Sequence, residues 1–300
     1  MNAIKALTFR LRPFVETDIP AVVKLALRST FHYSTECLIS WSKIDPTGIK
    51  VAELHSGEVV GFCATINHNE NNAFVGALCV HEKYRKLEIG HRLVVAGMQH
   101  VGERNAGTNV SKELIRATCK EGFGVIEDSW NTVEYEYLGE LRYQLLTEKL
   151  PDGVQIQCLK ENNFDSMLEY DRTLAGYDRK HILDIICKEN NTKFLIALKD
   201  GACVGYGMIK RNIFDAARVG PLYADDSRVA EVILRKLLET MPDAKGLAMT
   251  TISNNLMANE RVRKMGIPVY NNLTRMYTKE KMVINSSRIF AQFDADFSPL

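Results

Sequence analysis

The stretch HEKYRKLEIGHRL, from His81 to Leu93, joins an apolar run, NNAFVGALCV, to a helical one, HRLVVAGMQHVGERN, through a basic turn holding a single glycine. Leu93, Val94 and Val101 fall among the apolar positions of an amphipathic helix, so the turn delivers the chain to a helix N-terminus. The first N–H groups of a helix have no acceptor within it, and its dipole favours nearby negative charge by about 0.3–1 kcal/mol at an exposed site. A phosphate group suits such a turn, and a solvated helix start is the plain alternative. A second group that could do chemistry is Asp171 and Arg179, which bracket RTLAGYD with Tyr170, Tyr177 and Asp178 beside them. Asp171 could hold an ammonium group and Tyr177 could stack on a ring, or Asp171 and Arg179 form an ion pair that holds a loop. The seven cysteines (37, 63, 79, 119, 158, 187, 203) show no C-x-x-C, so neither a disulfide framework nor a metal site is expected. Cys79 and Cys119 have no His and acid at a recognisable spacing, which argues against a covalent thiol nucleophile.

The elements that position these residues are duplicated. FRLRPFVETDIPAVVKLA, starting at Phe9, and VQIQCLKENNFDSMLEYD, starting at Val154, both alternate as a strand and then turn helical, at an offset of 145 residues. LHSGEVVGFCATI and LKDGACVGYGMIK each place a glycine turn between strand-like runs, at an offset of 144. CKEGFGV and RKMGIPV each close a helix on glycine and resume a strand, again 144 apart. We therefore expect two copies of one α/β unit, residues 1–149 and 153–300, parted by the turn at Pro151–Gly153. A net charge of +1 over 300 residues gives no global pull toward nucleic acid or anionic membranes. No uninterrupted apolar stretch approaches the length of a membrane span, and the N-terminus lacks a signal-like apolar region, so a cytoplasmic chain is expected.

The pattern V-x-x-x-Y-R-x-x-x-I-G-x-x-L from Val80 resembles the acyl-CoA signature of the GNAT superfamily of N-acetyltransferases, (Arg/Gln)-x-x-Gly-x-(Gly/Ala). Arg85 takes its first position, Glu88 its first glycine and Gly90 its second. The resemblance extends along almost the whole first copy, from FRLRPFVETDIPAV to NVSKELIRATCKEGF. It implies an α/β fold of two tandem GNAT-like domains, each a mixed, mostly antiparallel sheet flanked by helices. It also implies that acetyl-CoA is the co-substrate, held by the strand residues Leu78, Cys79 and Val80 and by the loop of Arg85, Lys86, Leu87, Glu88, Ile89, Gly90 and His91. Glu88 departs from the family pattern, bringing a carboxylate to a turn built for an anion. The second copy has Ala224, Asp225, Asp226 and Ser227 in place of the basic turn, so one bound CoA is expected, in the first copy, with the second domain degenerate.

In such a family the Val80 N–H would polarise the thioester carbonyl. A general base must take a proton from the incoming ammonium group, and His68 or Glu70, in the polar turn NHNENN before Val80's strand, are the candidates. The tyrosine that the family often uses to protonate the leaving thiolate is replaced by Thr118, which leaves Tyr135, Tyr137 or unaided departure. The expected function is transfer of an acetyl group to a small primary amine: a biogenic arylalkylamine, an amino acid or an amino sugar. In that reading Asp171, Tyr177 and Arg179 of the second copy bind the acceptor across the domain junction. The alternative is a catalytically weak tandem-GNAT pseudoenzyme that binds acyl-CoA or senses a metabolite. The sequence leaves the oligomeric state open.

Overall fold

The computed structural model describes residues 8–29 and 31–299. The first half runs β1 (Phe9–Pro13), α1 (Ile19–Arg28), α2 (Thr35–Ile44), β2 (Ile49–Leu54), β3 (Val59–Asn67), β4 (Asn72–Val80), α3 (Ile89–Val101), β5 (Asn105–Val110), α4 (Ile115–Lys120), β6 (Val125–Ile126) and β7 (Thr132–Leu138). The second runs β8 (Val154–Cys158), α5 (Glu161–Ala175), α6 (Lys180–Ile186), β9 (Lys193–Lys199), β10 (Ala202–Arg211), β11 (Ala217–Ala224), α7 (Ser227–Glu239), β12 (Gly246–Ile252), α8 (Leu256–Lys264), β13 (Asn271–Tyr277) and β14 (Ile289–Ala291). The duplicated signals become duplicated elements. The hairpins β2–β3 and β9–β10 turn on Gly57 and Gly201, at φ 85° and 83°, a backbone region that favours glycine.

One sheet passes through both halves in the order β1-β2-β3-β4-β5-β13-β7-β12-β11-β10-β9-β8, with β6 on β13 and β14 on β11. Its pairs are antiparallel except β4–β5 and β11–β12. The closing strands are exchanged. β7 leaves the first half's sheet to pair along its whole length with β12, while β13 returns from the second half to pair with β5. The sheet therefore does not break at the turn at 151–153. Its helices cover both faces, and one core is shared by α1 and α2 of the first half and α5 and α6 of the second.

The α3 helix shows why the site's framework is rigid. Ile89, Leu93, Gly97 and Val101, four apart, form its buried face against β3 and β4. Each fully buried aliphatic side chain there contributes about 1.5–3 kcal/mol relative to exposure. Gly97 lets the helix close on the sheet, since a Cβ there would lie 2.4 Å from Thr65 Cγ2.

Candidate active site

The parallel strands β4 and β5 pair only over Asn72–Phe74 and Asn105–Gly107. Beyond that β5 turns to β13 while β4 stays with β3, and the two fork apart. At the fork β4 carries a bulge: Phe62 faces Cys79, yet Ala64 faces Gly76, leaving one extra residue on β4, and Ala77 takes φ 53°. Past the bulge the His81 N–H donates to the Val60 carbonyl at 2.8 Å, so strand alternation turns the main chain of Val80 away from β3. The Val80 carbonyl accepts from Arg85 Nε at 3.1 Å on that side.

The fork opens a cleft of about 530 Å³. At one end lies the first turn of α3, where Gly90 and His91 line the wall. Glu88 is the N-cap, in a left-handed conformation (φ 60°) and with no side-chain capping bond. The first main-chain bond of the helix is Arg92 N–H to Glu88 carbonyl, so Ile89, Gly90 and His91 have N–H groups with no partner in the helix. A Cβ on Gly90 would meet only Val80 Cγ2, at 3.7 Å, which leaves the approach to these amides open. Across the cleft stand Thr118 of α4 and the residues that flank that helix, Leu114 and Glu121, and His91 Nδ1 reaches Glu121 Oε1 at 2.8 Å.

At the other end three carboxylates line the wall: Glu134 and Glu136 of β7 and Asp296 of the C-terminal tail. Burial, and next the charge of Asp296, push the Glu134 carboxyl up to about 7. Burial and then Glu134 push Glu136 up to about 8. Burial and then Asp294 push Asp296 up to about 6. His32 Nε2 lies 3.4 Å from Glu136 Oε2 and is held neutral, its pKa pushed down to about 4 by burial and then by Arg218. Arg218 is itself paired with Asp294 at 2.6 Å, and no lysine or arginine is among the described lining residues of the cleft. The arrangement joins an anion-binding helix start to an acidic chamber through the edge of a bulged strand.

Two models of acetyltransferase families match the sequence: the Acetyltransferase (GNAT) family over residues 19–117 and an Acetyltransferase (GNAT) domain over residues 167–291. The chain belongs to the GNAT superfamily as a tandem protein. The holothin acyltransferase of Pseudoalteromonas sp. (strain SANK 73390) is 25% identical over 235 residues, 78% of this chain and 76% of its own length. The fold matches that of a candidate acetyltransferase from Pyrococcus horikoshii with a TM-score of 0.74 at 19% identity, covering 98% of this chain and 96% of the other. It also matches a tandem GNAT protein from the clavulanic acid biosynthesis pathway, with a TM-score of 0.64 at 14% identity, covering 92% of this chain and all of the other. Acetyltransferases of this superfamily generally use acetyl-CoA, and the residues at the fork fit its parts: orphan amides at α3 for a diphosphate, and an open β4 edge for an extended arm.

Of the residues singled out in the GNAT signature, Leu78, Gly90 and His91 line the cleft. Arg85, Lys86, Leu87 and Glu88 are exposed, while Ile89 points into the core beneath α3. The Cys79 side chain turns inward, with Sγ 3.0 Å from Ser29 Oγ. His68 and Glu70 stand outside the cleft lining. The His68 ring is 2% exposed and packs edge-on against Phe297, and burial followed by the charge of Arg179 pushes it down to about 3. Glu70 is exposed in its turn. Asp171 and Arg179 form a buried bidentate pair, both bonds 2.6 Å, and Tyr206 OH also donates to Asp171. Tyr177 OH donates to the Pro299 carbonyl at 2.6 Å. None of the three lines the cleft. Tyr135 OH donates to Asn259 in the opposite core, and Thr118 Oγ1 to the Leu114 carbonyl. Sequence reasoning missed Glu134, Glu136 and Asp296. The alternation in TVEYEYL did carry a signal for the first two, since it puts both on one face of β7.

The second repeat forks in the same way, with β11 and β12 paired only over Ala217–Val219 and Leu247–Met249. There β14 lies against β11, Gln292 N–H donates to Thr250, and a Cβ on Gly220 would lie 2.2 Å from the Gln292 carbonyl oxygen. Asp226 caps α7 with its own carboxylate, accepting from Arg228 N–H at 2.7 Å. The second gap is thus filled by the chain's own tail.

Proposed function

We propose that the first repeat is an acetyl-CoA-dependent N-acetyltransferase and that its acceptor is a small primary amine bound at the acidic end of the cleft. The observation that carries this reading is the single cleft connecting uncapped α3 amides to Glu134, Glu136 and Asp296 past the bulge of β4. The amides of residues 89–91 hold the diphosphate, and β4 at Leu78–Val80 lies along the arm, where the Val80 N–H, turned away from β3, polarises the thioester carbonyl. Glu134 and Glu136 hold the acceptor's ammonium group. A chamber lined by acidic side chains, with no lysine or arginine among its described lining residues, offers no cation to pair with an acceptor's carboxylate, which favours a biogenic amine or amino sugar over an amino acid. The exposed side chain of Glu88 faces solvent at the mouth, which supports binding despite the departure from glycine. Val80 keeps the oxyanion role, since its N–H points away from β3.

The test is a thermal-shift titration with acetyl-CoA together with thiol release over a panel of amines. Binding at 100 times the dissociation constant stabilises the fold by about 2.7 kcal/mol. Gly90→Ala has room for its Cβ and should keep the shift, whereas Gly90→Phe should abolish it while leaving the unliganded melting temperature in place. A shift that survives Gly90→Phe overturns the diphosphate assignment. A shift without thiol release for any amine makes the protein a binder rather than an enzyme.

A further inference from the structure

We propose that Asp296, carried into the first repeat's fork by the C-terminal tail of the second, is the general base that takes the proton from the acceptor amine. The assignment rests on the acetyltransferase reading above and names a group that reading leaves open. The tail first fills the second repeat's gap and then crosses to the first. There Asp296 Oδ1 accepts from the Ala77 N–H at 2.8 Å, Oδ2 accepts from Tyr33 OH at 2.7 Å, and Asn109 Nδ2 of β5 donates to the Ala295 carbonyl at 2.7 Å. The tail runs so close to β4 that a Cβ on Gly76 would lie 2.2 Å from the Asp296 carbonyl oxygen. Gly76 and Gly220 are 144 residues apart, the repeat offset, and the tail's main chain presses on both.

Residues 295–296 therefore bridge the two splayed strands at the apex of the fork. Among the described cleft carboxylates, Asp296 is the one tied by hydrogen bond to the β4 main chain, the element that would fix the acyl carbonyl. Each of its oxygens accepts one of these bonds, which leaves further lone pairs on a side chain that lines the cleft. The groups around it are Asp294 of the tail, Arg218 of β11, Tyr33 between α1 and α2, Glu134 and Glu136 of β7, and the thiols of Cys63 on β3 and Cys79 on β4. Its pKa, raised to about 6, leaves it ionised near neutral pH and basic enough to accept a proton.

The step balances as follows. The Asp296 carboxylate removes one proton from the ammonium group, and the neutral nitrogen forms the C–N bond to the thioester carbon. The C–S bond then breaks. The second nitrogen proton goes to the departing CoA sulfur, and Asp296 returns its proton to water, so that the products are amide, CoA thiol and one released proton.

The decisive variant is Asp296→Asn. Its amide oxygen still accepts from Ala77 N–H and its NH₂ donates to the Tyr33 oxygen, so the fork keeps its shape and the acetyl-CoA thermal shift should persist. For the amine that the wild type turns over best in a panel of arylalkyl, aliphatic and amino-sugar amines, kcat/KM should fall about 10²–10⁴-fold, mostly in kcat. In the kcat profile, read at saturating amine so that ionisation of Glu134 and Glu136 in acceptor binding drops out, the wild-type acid limb near pH 6 should vanish. A second variant, Tyr33→Phe, keeps the ring contacts and leaves the tail untouched. It removes a hydrogen bond that favours the charged carboxylate, so the acid limb should move to higher pH by about half a unit or more. Unchanged kcat/KM in Asp296→Asn, or an acid limb that stays in place in Tyr33→Phe, overturns the assignment while leaving the acetyltransferase reading intact. A wild type that binds acetyl-CoA but releases no thiol with any amine overturns both.

Discussion

Glu136→Gln should make the unliganded protein more stable at alkaline pH while damaging acceptor binding. The Glu136 side chain is 12% exposed, and its carboxyl rises from 4.5 to about 8 through burial and then repulsion from Glu134. Each unit of such a rise is worth about 1.4 kcal/mol, which sets a ceiling of about 5 kcal/mol for the charged group. Glu134 relaxes when its neighbour leaves, and the glutamine amide still has to be buried, so about 1–2 kcal/mol is expected. The sign follows from linkage. The folded state holds a proton that the unfolded state gives up between pH 4.5 and about 8, so wild-type stability falls as pH rises through that window. The variant lacks this slope at position 136. Urea unfolding at pH 5.5 and 8.5 should show the variant's advantage growing by about 1 kcal/mol across the two, with melting temperature about 2–5 °C above wild type at the higher pH. Parallel stability curves for the two proteins would refute the claim that an ionisable, buried Glu136 is strained in the empty chamber.

Glu88→Gly should tighten acetyl-CoA binding several-fold at low salt by removing a like charge at the diphosphate end, with the gain shrinking at 0.5 M NaCl; a calorimetric titration at two salt concentrations checks it. The same change should raise stability by up to about 1 kcal/mol, because the left-handed conformation of residue 88 suits glycine. Asp171→Ala strands a buried arginine and should cost about 3–5 kcal/mol, with acceptor KM unchanged in the folded fraction. A raised KM at wild-type stability would instead make Asp171 an acceptor ligand.

The cofactor end was legible because it is local. A strand, a turn and a helix within thirty residues carry their own signals, and the four-residue spacing of Ile89, Leu93 and Gly97 fixes which face of α3 meets the sheet. The acceptor end is assembled from Ser29, Phe31, Glu134, Glu136, Ala295 and Asp296, and nothing in their local patterns says that they meet. His68 illustrates the difficulty. In sequence it sits in a polar turn and reads as accessible, but Phe297, more than two hundred residues away, packs on its ring. The Asp171–Arg179 pair failed to reach the cleft for a similar reason: Tyr206 and the aromatic rings of Tyr223 and Phe293 close over it inside the second repeat. The strand exchange was hidden by the duplication itself. β7 and β13 are closing strands of equivalent units, so either satisfies the open edge of either sheet, and alternation along a strand does not say which edge it joins.

That exchange decides how the two repeats divide their work. If β7 had stayed beside β5, it would stand one strand nearer the fork, in the place that Thr274–Tyr277 of β13 now take. Inserting β13 moves the two carboxylates out by one strand spacing, about 4.8 Å, and leaves room between them and β4 for an acceptor. The tail that follows β13 then closes the second fork with β14 and reaches back to hold the first one apart at Ala77 and Asn109. The same stretch of chain that removes one binding gap therefore completes the other. A first repeat severed near residue 150 would lose the partner of β5, the tail at the apex and the sheet that anchors β7, so its acceptor chamber could not form from its own residues.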